Sequence, residues 1–461
     1  MASQTLKFDA IVIGSGQGGN PLAYRLAQRG EAVALIESGH LGGTCINTGC
    51  TPTKTMLASA QVAYYVRNAS RWGVHSTGLR VDLKEILKRK NDVVESFRSG
   101  WDTKFEKQDK LRLFRGKARF VGQKRLEVNA EILEADRIFI DTGASPAIPR
   151  IEGLDSVPYL TNVEILQLTE IPQHLLVLGA GYVGLEFGQM FRRFGSEVTV
   201  IQSAGRILSN EDEDVSTELE NALTAEGIQL LLNARASKAQ RNGANITLSV
   251  ETAEGLKSIS GSHLLVATGR TPNTKDLNLS VAGIETNRKG FIVVNDRLET
   301  TAKDVWALGD VNGGPAFTHI SYNDYQIIYG NLYEGKDLRT SSRIVSYALY
   351  TDPTLGRVGL TEKAARAQRR KLKIGKIPMA NVARAKERAE TRGFMKIVVD
   401  AETDRVLGAA ILSVEGGELV QILSTLMLAA QPYSLLKGAI YIHPTLAEGF
   451  FALMDSVKPA D

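Results

Sequence analysis

One sequence unit occurs twice in this chain of 461 residues, and it constrains the fold more than anything else in it. The first copy is an apolar run over 8–13, the loop Gly14-Ser15-Gly16-Gln17-Gly18-Gly19, a helical stretch over 20–28, and a second apolar run over 32–36 closed by Glu37. The second is an apolar run over 175–178, the loop Gly179-Ala180-Gly181-Tyr182-Val183-Gly184, a helix over 185–194, and a run over 198–201 followed by Gln202. Glu37 and Gln202 fall at the same distance behind the middle glycine. A lone GxGxxG says little. Set between a strand and a helix, with a second strand at this spacing, it marks a dinucleotide-binding βαβ unit. Its glycines allow a tight turn, close approach of a pyrophosphate and close helix–strand packing. The phosphates then meet free N–H groups at a helix N-terminus. Two copies imply two dinucleotides. Glu37 puts an acid where an adenosine ribose offers its 2′-hydroxyl, which suits FAD or NAD. Gln202 is neutral there and would not repel a 2′-phosphate. Arg206 lies near enough in sequence to bind one, so the second site leans to NADPH over NADH.

The chain holds two cysteines, Cys45 and Cys50, in Gly42-Gly43-Thr44-Cys45-Ile46-Asn47-Thr48-Gly49-Cys50-Thr51-Pro52-Thr53-Lys54. A pair this close, just after a dinucleotide-binding unit, points to redox chemistry. On an ideal helix residues five apart are about 8–9 Å apart at Cα. A disulfide needs about 7 Å or less. The backbone between the two is therefore expected to leave regular helix, with Gly49 absorbing the distortion at positive φ. Pro52 suits the first turn of a following helix, whose N-terminal dipole favours a thiolate.

The length suggests about three domains of roughly 150 residues. Strand-into-glycine elements at 136–143 and 263–273, and a third strand ending in Asp310, fit a first domain split in sequence. Beyond about residue 340 the pattern changes to strands such as Lys396-Ile397-Val398-Val399 and an apolar helix over 419–430. The expected division is 1–150 with 273–338, then 151–272, then 339–461: two Rossmann-like domains of α/β class plus a C-terminal α+β domain. A net charge of +4 argues for neither nucleic acid nor membrane partners. The basic run 369–373 is expected to be a solvated helix face. No apolar stretch of about 20 residues spans a membrane, and 1–8 show no signal peptide. The six histidines are scattered, so no metal site is expected. One redox pair without a disulfide framework suits a reducing cytoplasm.

With these motifs together, the chain resembles the flavoprotein disulfide reductases, which include dihydrolipoamide dehydrogenase, glutathione reductase and mercuric reductase. The carrying motifs are the two glycine loops, the GGTCxxxGCxPxK segment, Glu186, ATGRTPN at 267–273, the LGD at 308–310 and His443-Pro444-Thr445-x-x-Glu448. The resemblance runs from about Asp9 to Glu448. It implies that Gly14, Gly16, Gly19 and Glu37 hold FAD, with Asp310 on its flavin side and Gly43, Thr44, Thr142 and Gly143 beside it. Gly179, Gly181, Gly184, Gln202, Arg206 and Gly269 would serve NADPH or NADH, with Tyr182 as a gate over the flavin. Lys54 would sit near the flavin, paired with Glu186. Cys50 would be the thiol nearer the flavin and Cys45 the interchange thiol, the two forming a redox disulfide. His443 would be an acid–base group, oriented by Glu448 across one helical turn and serving the other subunit of a homodimer. Electrons would run from NAD(P)H through FAD to the pair, and on to a small-molecule or lipoyl-type disulfide.

The departures bear on the acceptor. Mercuric reductases carry a further cysteine pair near the C-terminus and usually lack the HPxxxE histidine, which is the reverse of this sequence. Large thioredoxin reductases also need an added pair. Dihydrolipoamide dehydrogenases generally have an acid in place of Gln202. The alternatives are a dihydrolipoyl dehydrogenase subunit of a 2-oxo acid dehydrogenase assembly, or a mercuric-reductase-like flavoprotein that reduces oxidants or metals.

Overall fold

The computed structural model describes residues 5–460. Residues 1–4, part of the stretch expected to hold no leader, and Asp461 lie outside the described residues. Two compact units are present: one of residues 1–55, 85–147 and 269–343, the other of 56–84, 148–268 and 344–461.

The first unit is built on β1 (Thr5–Ile13), β2 (Val33–Glu37), β3 (Leu111–Arg115), β4 (Arg119–Gly122), β5 (Arg125–Val128) and β6 (Glu131–Ile140). They form one sheet in the order β3-β2-β1-β6-β5-β4, with the strand Val305–Ala307 added parallel to β6. β1 lies parallel to β2 on one side and β6 on the other, so the chain leaves it in opposite directions. The crevice beyond the carboxyl ends of such strands is where doubly wound folds bind ligands. Alternate residues of β1 face opposite ways and both sides are buried, as the run of apolar residues requires. Ile11 and Ile13 enter one core with Phe120 and Ile138. Ala10 and Val12 enter the other with α1 (Gly19–Gln28), through Leu22 and Leu26. Next come α2 (Gly43–Asn47), α3 (Cys50–Arg67), whose first turn belongs to this unit, and α4 (Leu83–Glu106).

The second unit repeats the motif. His174–Leu178 is the centre of a parallel five-stranded sheet, followed by α5 (Tyr182–Phe194) and Glu197–Ile201. From residue 346 the unit holds a separate six-stranded sheet, with the helix Gly416–Leu428 packed on it through Leu419, Val420 and Leu423. The basic run 369–373 is not a helix face. The preceding helix ends at Ala367, Arg369 turns the chain at φ 56°, and the strand Leu372–Pro378 begins.

Candidate active site

The chain enters the cysteine segment through Gly42 and Gly43, at φ 103° and 59°. A Cβ on Gly43 would lie 2.8 Å from the Cα of Gly16. The Gly42 N–H donates to Ser15 O at 3.0 Å, and Gln17 Nε2 donates to Gly42 O at 3.1 Å. The cysteine segment is thus laid directly on the first glycine loop. α2 ends at Asn47, capped by Thr48 (φ −143°), and α3 begins at Cys50. That break brings the sulfurs together, and the Cys45 thiol is hydrogen-bonded to Cys50. Sequence reasoning foresaw the break but misassigned it. Gly49 is not at positive φ; it is small because a Cβ there would lie 2.8 Å from Thr44 O. Asn47 escaped sequence reasoning altogether. Its Nδ2 donates to the carbonyls of Leu41 and Gly43 at 3.1 and 2.8 Å, and Arg98 Nε holds its Oδ1 at 2.6 Å.

Both cysteines are thiols, Cys45 partly buried and Cys50 exposed. The Cys45 thiol is pushed up by its hydrogen bond to Cys50, by burial and by the charge of Cys50, in that order. Thr318 and the Lys54 ammonium act in the opposite direction. Cys50 stands at the N-terminus of an 18-residue helix, whose dipole favours negative charge there. Cys50 Sγ stands 3.2 Å from Thr318 Oγ1.

The first glycine loop is tight. A Cβ on Gly14 would lie 2.2 Å from Asp141 O, and one on Gly19 would lie 2.2 Å from Gly14 O. Glu37, at the end of β2, accepts from Ser15 N and Oγ at 3.0 and 2.6 Å and from Gly39 N at 2.6 Å. Asp141 was read only as the end of a strand. In the structure it is buried behind the loop and takes the Gly19 N–H at 2.7 Å. Burial pushes its carboxyl well above the usual range, against the pull of the Gly19 and Gly18 N–H groups. Thr142 Oγ1 donates to Asn273 O at 3.0 Å, and Gly143 (φ 67°) faces open space where a ligand has room. Asp310 lies on the turn Gly309–Asn312, 3.4 Å from Arg270 Nε. Burial raises its carboxyl and Arg270 opposes the rise. Gly269 (φ 133°) accepts at its carbonyl from Ala147 N at 2.9 Å. The donor set and the room fit FAD.

In the second unit the three glycines divide the work as a dinucleotide site requires. A Cβ on Gly179 would meet Ala267 O at 2.5 Å, and one on Gly184 would meet Gly179 O at 2.0 Å. Gly181 opens onto free space, the place a pyrophosphate approaches. This loop fits a nicotinamide dinucleotide. Tyr182 is the first residue of α5, its ring 5.6 Å from that of Tyr347, whose hydroxyl donates to buried Glu211 at 2.5 Å. Gln202 Oε1 accepts from Ala180 N at 3.4 Å. One Arg206 nitrogen donates to the carbonyls of Ser209 and Glu211, so its own loop holds part of the guanidinium. Glu186 is buried in α5 and accepts the Tyr350 N–H at 2.9 Å. Lys54 belongs to the first unit and Glu186 to the second. His443 Nδ1 is 2.8 Å from Glu448 Oε2, on an exposed segment. The pair forms across a loop, not the expected helical turn. Glu448 is the N-cap of the helix Gly449–Asp455, so the helix starts only where the pair ends.

Residues 8–324 match the family model described as pyridine nucleotide-disulphide oxidoreductase, and residues 345–453 match its dimerisation domain. The chain is 37% identical over 461 residues to the probable pyridine nucleotide-disulfide oxidoreductase RclA of Escherichia coli K12, covering 98% of this chain and 100% of that one. It is 35% identical to a mercuric reductase of Lysinibacillus sphaericus, over 96% of this chain and 81% of the other. The solved Cu(II) complex of the HOCl-induced flavoprotein disulfide reductase RclA from Escherichia coli superposes with a TM-score of 0.89 at 36% identity, covering 97% and 100% of the two chains. Among the described residues no helix is long and apolar enough to cross a membrane.

Proposed function

This chain belongs to the pyridine nucleotide-disulphide oxidoreductases, FAD-dependent enzymes that use NAD(P)H, and from that premise we propose how its own residues do the work. The observation that carries the reading is the dithiol segment seated on the first glycine loop, with Gly43 against Gly16. Bound FAD supplies two-electron exchange between a nicotinamide and a dithiol. Residues 1–150 and 273–338 hold it, with Gly14, Gly16, Gly19, Glu37, Thr142, Gly143 and Asp310 as its contacts. Residues 151–272 hold the nicotinamide dinucleotide through Gly179, Gly181, Gly184 and Gln202, with NADPH favoured over NADH because no acid stands at Gln202. Tyr182 serves as the gate over the flavin that the resemblance implies. Lys54 stands near the flavin.

Cys50 stabilises the negative charge beside the cofactor, and Cys45 attacks a disulfide substrate. Residues 339–461 form the interface of a homodimer. There the His443 Nδ1–H is held by Glu448, which leaves Nε2 to take or give the proton of the exchanging thiol in the other subunit. We place the enzyme in the cytoplasm, where a lone redox pair meets reducing conditions. A second reading, reduction of an oxidant or metal ion at the same dithiol, is favoured by the likeness to the RclA structure solved with Cu(II).

Anaerobic titration of the yellow protein with NADPH and, separately, NADH tests the main reading. A long-wavelength absorbance band is expected at two electrons, and the nucleotide that raises it faster is the coenzyme. Loss of the visible spectrum with no such band would take the dithiol out of the electron path. Oxygen uptake that survives Cys45→Ser would turn the assignment toward an oxidase.

A further inference from the structure

The first side chain of α5 is held by a chain of buried groups. The Tyr182 ring lies 5.6 Å from the Tyr347 ring, and the Tyr347 hydroxyl donates to Glu211. Glu211 Oε2 in turn lies 3.6 Å from Arg357 Nε, both side chains being at most 1% exposed. The backbone around Glu211 closes the circuit. The Glu211 N–H donates to Leu208 O at 2.8 Å, and the Leu208 N–H donates to Ala180 O at 3.2 Å, inside the second glycine loop. Leu208 holds a φ of 45°, a left-handed conformation that a leucine seldom adopts. One turn thus touches the loop directly and reaches Tyr182 through Tyr347.

A buried ion pair is weak support for stability unless hydrogen bonds complete it. Among the described residues, Glu211 Oε2 and Arg357 Nε meet each other and take no hydrogen bond. Stability does not account for such a pair. What it fixes is position, because the carboxylate stays where the Tyr347 hydroxyl meets it. Gly181, next to Tyr182, faces open space. With the Tyr182 ring held on Tyr347 that approach is clear, and a ring released from Tyr347 sweeps across it. We propose that Tyr347, fixed by Glu211, is a positioning residue for the nicotinamide dinucleotide, holding the Tyr182 ring clear of the approach to Gly181. The proposal rests on the reading of the second glycine loop as that dinucleotide's site and deepens it. Tyr347 acts through Tyr182 alone.

The test is a double-mutant cycle on the holoenzyme: wild type, Tyr347→Ala, Tyr182→Ala and the double variant. Retained flavin absorbance and circular dichroism check folding. NADP+ and NAD+ are each titrated into the oxidised protein by calorimetry, and NADPH and NADH are each assayed with ferricyanide as acceptor. An aromatic pair is worth about 2- to 10-fold in an equilibrium, so Tyr347→Ala should weaken nucleotide binding by about that factor. The change should appear in KM more than in kcat, because only the fraction of protein with a clear approach binds. In the Tyr182→Ala background, Tyr347→Ala should have no further effect, since residues that act through one contact are not additive. A Tyr347 that only supports the fold would weaken binding equally in both backgrounds. That result, or unchanged affinity in Tyr347→Ala, would overturn the proposal. If Tyr347→Ala does not fold, Tyr347→Phe, which lacks only the hydroxyl tied to Glu211, carries the same cycle with the same outcomes. Wild-type holoenzyme that binds neither nucleotide would sink the reading of the loop itself, and the proposal with it.

Discussion

Asp141 carries the plainest consequence at the scale of single residues. Its carboxyl is raised chiefly by burial, with the charges of Asp310 and Asp324 adding to the effect. The unfolded chain loses this proton near the usual value of about 3.9, while the folded chain still holds it. Above that pH the folded state binds more protons than the unfolded one, so stability falls as pH rises toward the folded value. Asp141→Asn keeps an acceptor for the Gly19 N–H and cannot ionise. It should flatten the decline of melting temperature with rising pH, in part, since Asp310 and Asp324 are raised by burial too. A variant whose melting temperature falls as steeply as wild type would refute the assignment. In the sequence Asp141 looks like any acid closing a strand, because burial arises from the glycine loop that folds over it. His443 and Glu448 were legible, because a histidine five residues before an acid needs only a short loop to meet it.

Among the elements, α5 shows how a glycine loop is held from behind. Arg193, 4% exposed, binds Glu226 and Asp352 at 2.6 and 2.7 Å, and its guanidinium lies 4.1 Å from the Tyr64 ring centroid. Removing one partner of such a buried cluster leaves charge without compensation, at a cost of about 3–5 kcal/mol. Arg193→Ala should therefore lower stability to chemical denaturation by about that amount; a loss below about 1 kcal/mol, the scale of exposed pairs, would contradict it. Arg392 also reaches Glu226, at 2.9 Å, so some compensation survives the change. The strand–loop–helix boundaries of both copies were readable because apolar period and glycine punctuation coincide there. The break between α2 and α3 was readable only in outline. The distance argument required it, but Thr48 makes it and Asn47 clamps it, through contacts that no spacing reveals.

For the whole molecule, the family's dimerisation domain gives meaning to apolar side chains that a monomer would leave wet. Leu428, Leu435, Ile440 and Ile442 are 71%, 56%, 100% and 78% exposed, and His443 follows them directly. Ile440→Asp combined with Ile442→Asp should give a monomer by light scattering that keeps its flavin absorbance and loses disulfide turnover. A dimer of unchanged size would argue against this face as the interface. The sequence by itself determined the two dinucleotide-binding units, the nearness of the two cysteines and the family, because each rests on local spacing: glycines at a strand end, two sulfurs five residues apart, a histidine before an acid. Tertiary structure alone decided which groups tune them. Thr318 lies 268 positions from Cys50 and Asp141 lies 122 from Gly19. Such partners meet only because parallel strands carry distant segments to one end of a sheet, where burial and hydrogen bonding set the charge on each group.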